Sequence, residues 1–259
     1  MSANRSSADI RVFPSSDALS DAAAAFFAET AAQAVDSHGV FRVALSGGST
    51  PKGMYELLAS SDFEATVPWE RTQVFFSDER FVPPDSSESN YHLAESTLLS
   101  HVPVRDRFVH RVATEGLPPE EAASLYEQGI RRVFESADDE IPRFDLILLG
   151  LGPDGHTASL FPGTSALGVT NQLVVANFVP KLDAWRVTFT YPLINAGRAV
   201  AFLVQGPDKA EPLRGVREGD ESLPASGVQL ADGRLIRFVD EAAAGSRGIG
   251  IQEDAAGNP

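Results

Sequence analysis

Phe41-Arg-Val-Ala-Leu-Ser-Gly-Gly-Ser-Thr-Pro-Lys-Gly53 is the stretch on which the fold turns. Its first five residues, Phe41–Leu45, form a short, mostly apolar run of the kind buried on both faces of a parallel sheet. Ser46, Gly47 and Gly48 break the run. Ser49, Thr50 and Pro51 then supply capping hydroxyls and a proline suited to a first helical turn. A glycine turn that feeds a helix N-terminus leaves amide N–H groups pointing outward, a ready place for an anion. The spacing is not that of a Walker A loop. From these residues alone, a bound phosphate and a capped turn without ligand both remain open.

Outward from this unit the same alternation repeats. Gln73–Phe76, Phe144–Leu149, Leu173–Phe178, Val187–Thr190 and Ala199–Val204 are further short runs rich in Val, Ile, Leu and Phe. Helical patterns cover Ser16–Ser37, Pro51–Ala59, Tyr91–Leu99, Pro119–Phe134 and Pro207–Val216. Strands alternating with helices predict an α/β fold, a doubly wound and mostly parallel sheet with helices on both faces. No Pro/Gly linker divides the pattern, so a single domain is expected over residues 9–244. The polar, unpatterned ends at 1–8 and 245–259 are expected to be flexible. In such sheets ligands bind beyond the carboxyl ends of the strands, which directs attention to the loops that follow them.

Two further loops answer that description. Ser77-Asp-Glu-Arg-Phe-Val82 puts three ionisable residues after Gln73–Phe76, and the polar stretch Pro83–Asn90 reads as a lid-like loop. Gly150-Leu-Gly-Pro-Asp-Gly-His156 follows Phe144–Leu149. It matches the dinucleotide pattern G-x-G-x-x-G, but Pro162 interrupts the long helix that pattern must open, and Asn171–Val179 lacks the acidic ribose ligand. The loop instead offers Asp154 and His156 two residues apart. A neutral imidazole is a good general base, and a nearby carboxylate can orient it. His38, His92, His101 and His110 sit in no comparable turn, and no histidine pair has metal-ligand spacing.

Composition narrows the partners. The 259 residues carry 21 Lys+Arg against 36 Asp+Glu, a net charge of −15, and no cysteine. Only Lys52, Lys181 and Lys209 are lysines. So acidic a chain is a poor ligand for nucleic acid or an anionic membrane surface. Disulfides, thiolate metal sites and a cysteine nucleophile are excluded. No run approaches the ~20 apolar residues that span a bilayer, and the Ala22–Ala28 run lacks the basic flank of a signal peptide, so a cytoplasmic protein is expected.

Taken in order, Ser46–Pro51, Ser77–Pro83 with Ser89-Asn-Tyr91, and Leu149–Pro162 resemble the 6-phosphogluconolactonase family. The likeness continues through Trp185–Thr190, Gly206–Ala210, Leu223–Ala225 and Phe238–Ala242. The resemblance implies the fold of glucosamine-6-phosphate deaminase and, more distantly, ribose-5-phosphate isomerase. It also implies hydrolysis of a sugar-phosphate lactone, 6-phospho-D-glucono-1,5-lactone, without metal or organic cofactor. On that resemblance His156 is the general base, with Asp154 and Asp78 tuning it or holding hydroxyls. The phosphate is expected on Ser46, Gly47, Gly48, Ser49 and Thr50, with Lys209 and Arg186 supplying charge. Arg80 either meets the substrate or pairs with Asp78 or Glu79. A monomer or weak dimer is expected. The competing readings are an amino-sugar-phosphate deaminase and a non-catalytic sugar-phosphate sensor, which ammonia release or binding without turnover would reveal.

Overall fold

The computed structural model describes residues 9–245. Residues 1–8 and 246–259, on which the expectation of flexible ends falls, lie outside the described residues. In chain order the strands are β1 (Asp9–Phe13), β2 (Phe41–Leu45), β3 (Thr72–Phe76), β4 (Asp78–Arg80), β5 (Leu146–Gly150), β6 (Val174–Val179), β7 (Ala184–Phe189), β8 (Ala199–Val204) and β9 (Arg234–Asp240). The helices are α1 (Ser16–His38), α2 (Ser49–Leu58), α3 (Ser61–Glu64), α4 (Asn90–Thr97), α5 (Pro119–Phe134), α6 (Tyr191–Asn195), α7 (Ala210–Glu218) and α8 (Glu241–Ala244).

Six strands form a sheet in the order β1-β9-β8-β5-β2-β3, with every neighbouring pair parallel. Side chains on β2 alternate between its two faces, as the pleat requires. Phe41, Val43 and Leu45 pack with Phe27, Tyr55 and Trp69 beneath α1 and α2. Ala44 faces the other way, into a cluster with Phe75, Phe144, Ile147 and Ile130 of α5. The lengths of α1 and α5 follow from their ends. Ser15 accepts the Ala18 N–H and Gly39 closes α1 at φ 80°, while α5 begins at Pro119 and buries Ala122, Ala123, Tyr126 and Ile130 along one stripe.

The second face differs from expectation. Two of the apolar runs expected in the parallel sheet, Leu173–Phe178 and Val187–Thr190, instead supply β6 and β7 of a separate antiparallel sheet, order β4-β7-β6. The reason is the connection. Only Pro180–Asp183 separates β6 from β7, far short of the dozen or so residues that a parallel crossover takes. Asp183 turns the chain in the left-handed conformation, φ 47°. Val174, Val187 and Phe189 of this small sheet join the same core as α5. β4, read as loop, is a strand only through its pairing with β7.

The sheet order also locates the crevice. From β2 the chain steps outward to β3, then returns to lay β5 on the opposite side of β2 and continues to β8 and β9. The direction of winding therefore reverses between β2 and β5, and a cleft opens above such a switch point.

Candidate active site

The loops after β2, β3, β5 and β8 all leave the same end of adjacent parallel strands. They border a solvent-open cleft with a cavity volume of about 190 Å³, lined by Ser46–Pro51, Asp78, Arg80, Asn90, Gly150, Leu151, His156, Ala158, Leu203, Gln205 and Lys209. Ten of the eleven anticipated site residues are therefore on its wall or in direct contact with it. Asp154 does not line the cleft but touches His156. The remaining one, Arg186, is not among the lining residues but lies on β7 directly opposite Arg80.

The phosphate-loop candidate is held by its own helix. Gly48 takes φ 106°, a conformation closed to most side chains, and lets α2 start at Ser49. The buried hydroxyl of Tyr55, one and a half turns into α2, clasps the strand end. It donates to Ser46 O at 2.6 Å and accepts from Ser46 N at 3.1 Å. Burial pushes its pKa far above the usual phenol range, the Ser46 hydrogen bond opposing and the charge of Asp78 adding to it. The first turn of α2 contains no acidic residue to compete with an anion.

Asp78 is almost wholly buried, and its carboxylate accepts from Ser159 Oγ at 2.6 Å and from Asn90 Nδ2 at 3.2 Å. Glu79 points the other way and ties down the supposed lid. It accepts from the amides of Asn90 and Tyr91 at 2.7 and 2.8 Å and from Ser89 Oγ at 3.0 Å, so it anchors the start of α4. Burial raises its pKa, with the amide bonds opposing. Arg80, for which an ion pair with Asp78 or Glu79 was one option, makes neither. Its Nη1 donates to the Glu88 carbonyl at 2.5 Å. Lys209 reaches the cleft and also pairs with Asp208 at 2.7 Å.

His156 is the only histidine of the cleft. Its Nδ1 lies 2.5 Å from Asp154 Oδ1. A carboxylate can only accept, so Nδ1 carries the proton and Nε2 is left with the lone pair. The ring stacks on Phe161 with 4.0 Å between centroids. Burial pushes the imidazole well below its ordinary 6.5, to about 4; Asp78 opposes this, while Lys209, Arg186 and Arg80 add to it. The Asp154 contact also opposes the fall, since a carboxylate favours imidazolium. The downward direction stands because the ring is about three-quarters covered and three cations face it. The site thus places an imidazole with Nε2 free beside a helix start that carries no acidic residue. Among the described residues no group of three His, Asp or Glu side chains could hold a metal ion.

Sequence reasoning gave no role to Asn90, Ser159, Gln205 or Lys181. Asn90 and Ser159 lie inside the quoted motifs and hold the Asp78 carboxylate, and Asn90 also lines the cleft. Gln205 follows β8 and was findable by the same strand-end rule. Lys181, which donates to Asp154 Oδ2, comes from a hairpin 27 residues away.

A family model described as glucosamine-6-phosphate isomerases/6-phosphogluconolactonase matches residues 14–237. A 6-phosphogluconolactonase of Rattus norvegicus is 40% identical over 243 residues, 91% of this chain and 92% of its own length. One from Nostoc sp. is 40% identical over 213 residues, 81% of this chain and 86% of that protein. The solved structure of 6-phosphogluconolactonase from Trypanosoma cruzi superposes with a TM-score of 0.84 at 31% identity, covering 95% of this chain and 100% of that one. With a model matched over most of its length and relatives well above 30% identity, this chain belongs to the glucosamine-6-phosphate isomerase/6-phosphogluconolactonase family.

Proposed function

We propose that the cleft hydrolyses 6-phospho-D-glucono-1,5-lactone to 6-phospho-D-gluconate, a step of the oxidative pentose phosphate pathway, with His156 as general base. Nε2 takes a proton from a water molecule as its oxygen attacks the lactone carbonyl at C1. The carbonyl oxygen becomes negative, in the field of Arg80 on the cleft wall. Collapse of that intermediate breaks the bond from C1 to the ring oxygen, and the departing oxygen takes the proton from the imidazolium. Water is added overall, and the base is regenerated.

Asp154 holds the imidazole in the tautomer that leaves Nε2 free. Asp78, fixed by Ser159 and Asn90, faces the substrate's hydroxyls. The distant phosphate rests on the amides and hydroxyls of Ser46–Thr50, with Lys209 and Arg186 for charge. The single observation that carries the reading is His156 with Nδ1 held by Asp154, in one cleft with the glycine turn that starts α2. The reading extends to a cytoplasmic enzyme that is monomeric or weakly dimeric, which light scattering of the purified chain checks.

The test is a coupled assay that follows freshly generated lactone against its spontaneous decay. His156→Asn should lower the enzymatic rate by about 100- to 10,000-fold. Near wild-type turnover in a folded variant removes His156 from the chemistry. Wild-type protein that gives no acceleration over background but releases ammonia from glucosamine 6-phosphate replaces the lactonase reading with the deaminase one.

A further inference from the structure

One contact of the His156 cluster has no part in the mechanism above. Lys181 sits in the turn Pro180–Leu182 at the tip of the β6–β7 hairpin, closed by left-handed Asp183. Its ammonium crosses to the loop after β5 and donates to Asp154 Oδ2, while Asp154 Oδ1 faces His156 Nδ1. The same ammonium lies 4.7 Å from the centre of the Phe161 ring, against which the imidazole stacks. Lys181, Asp154, His156 and Phe161 form one connected cluster built from two different sheets.

We propose that Lys181 is a positioning residue for the base: it fixes one oxygen of Asp154 so that the other meets Nδ1, and it offsets the carboxylate's charge so that the imidazole stays neutral. The consequence for turnover rests on the lactonase reading; the effect on the imidazole does not. Asp154 is partly exposed, at 28%, on a turn between Pro153 and Gly155. Without Lys181 both bonds to Asp154, from His156 Nδ1 and from the His156 amide at 3.2 Å, fall on Oδ1 and leave Oδ2 unheld, whereas a bond on each oxygen defines the carboxylate plane. Charge makes the second argument. A carboxylate 2.5 Å from Nδ1 pulls the ring toward imidazolium, and an imidazolium cannot take a proton from water. An ammonium on the far oxygen weakens that pull. An isolated, half-exposed Lys–Asp pair contributes little to stability. This one differs because the second carboxylate oxygen is committed to the base and the ammonium is also held over Phe161.

The other charges facing the imidazole are Asp78 and Arg80 from β4, Arg186 from β7, and Lys209 ahead of α7. Lys181→Met leaves all four in place. The experiment compares wild type, Lys181→Met, Lys181→Arg, Asp154→Asn and the Lys181→Met/Asp154→Asn double variant. Two readouts are taken: the NMR titration midpoint of the His156 ring without substrate, and kcat and KM across the acid limb of the rate profile.

Lys181→Met should move the His156 midpoint and the acid limb upward. It should lower kcat on that limb by about 10- to 100-fold, with KM changed by no more than about twofold. Lys181→Arg should restore both, and adding Lys181→Met to Asp154→Asn should change neither further. An unmoved midpoint overturns the proposal. So does a raised KM at constant kcat, which would make Lys181 a substrate ligand, or a full Lys181→Met effect in the Asp154→Asn background. If wild type shows no lactonase turnover, the functional reading falls, and the titration midpoints still decide the role of Lys181.

Discussion

Gly152→Ala tests the catalytic geometry without replacing any ionisable group. A Cβ at position 152 would lie 1.9 Å from His156 Nδ1 and 2.1 Å from Cε1. Ordinary contact requires at least about 3.4 Å, so the ring must retreat by roughly 1.5 Å. It cannot do so and keep both the 2.5 Å approach to Asp154 and the 4.0 Å stack on Phe161. The backbone is not the obstacle, because Gly152 lies outside the left-handed region where alanine is strained. Overpacking should cost about 1–3 kcal/mol of stability, which a well-packed α/β core of this size tolerates. Catalysis should suffer far more. Displacing a base by about 1 Å costs on the order of 100-fold, and losing its orientation altogether approaches the cost of deleting it. The measurements are denaturant unfolding, to show that the variant folds, and the lactone assay corrected for spontaneous hydrolysis. A folded Gly152→Ala protein with kcat within about threefold of wild type would show that the position of the imidazole against Gly152 has no bearing on the reaction.

Three further outcomes follow from the same cleft. His156 is held neutral in the native protein and takes up a proton in the unfolded chain, so its contribution to stability is complete above pH 6.5 and lost as pH falls toward about 4. Wild type should therefore lose up to about 3 kcal/mol more than His156→Asn between pH 7 and pH 4 in chemical denaturation, and equal losses contradict the assignment. Tyr55→Phe leaves the buried amide and carbonyl of Ser46 without their partner, which should lower stability by about 1–3 kcal/mol and raise KM for the lactone. Lys209→Ala should raise KM with little change in kcat; an unchanged KM confines Lys209 to its surface pair with Asp208.

The parts legible in sequence were those set by local chemistry. α5 begins and ends where expected, since Pro119 fixes its start and four small or apolar side chains mark one stripe. The three strand-end loops were legible because a buried parallel strand leaves an unbroken apolar run and must end in polar residues. Legibility failed wherever pairing decided the outcome. β4 consists of Asp78, Glu79 and Arg80, three charged residues that no propensity makes a strand, and only the antiparallel register with β7 holds them extended. The runs at β6 and β7 looked like central strands because one face of each is buried in the shared core, and the short Pro180–Asp183 link was the overlooked sign of a hairpin. β9 was missed because Arg234 and Arg237 interrupt its apolar pattern, although Arg237 lies buried in the sheet over Phe202. Lys181 carried no local signal, because its role depends on a hairpin reaching a loop on another sheet.

The net charge of −15 stands against an anionic substrate until the pairing of individual cations is considered. Arg80 and Arg186 sit directly opposite each other on β4 and β7. Like charges in that relation are destabilising, and burial followed by Arg80 is what lowers the pKa of Arg186. Among the described residues neither guanidinium forms an ion pair with a carboxylate, and Arg80 is satisfied instead by the neutral carbonyl of Glu88. In a chain with 36 acidic side chains, two adjacent arginines without a carboxylate partner are a cost that folding alone gives no reason to keep. A bound phosphate removes that cost. The acidic body and the anion-seeking cleft then cease to conflict: exposed carboxylates act through water and salt over about 10 Å or less, while half-buried guanidinium groups act across a few ångströms of protein. On this reading the substrate is drawn by the few cations that the fold leaves unpaired, and the total charge has little influence on it.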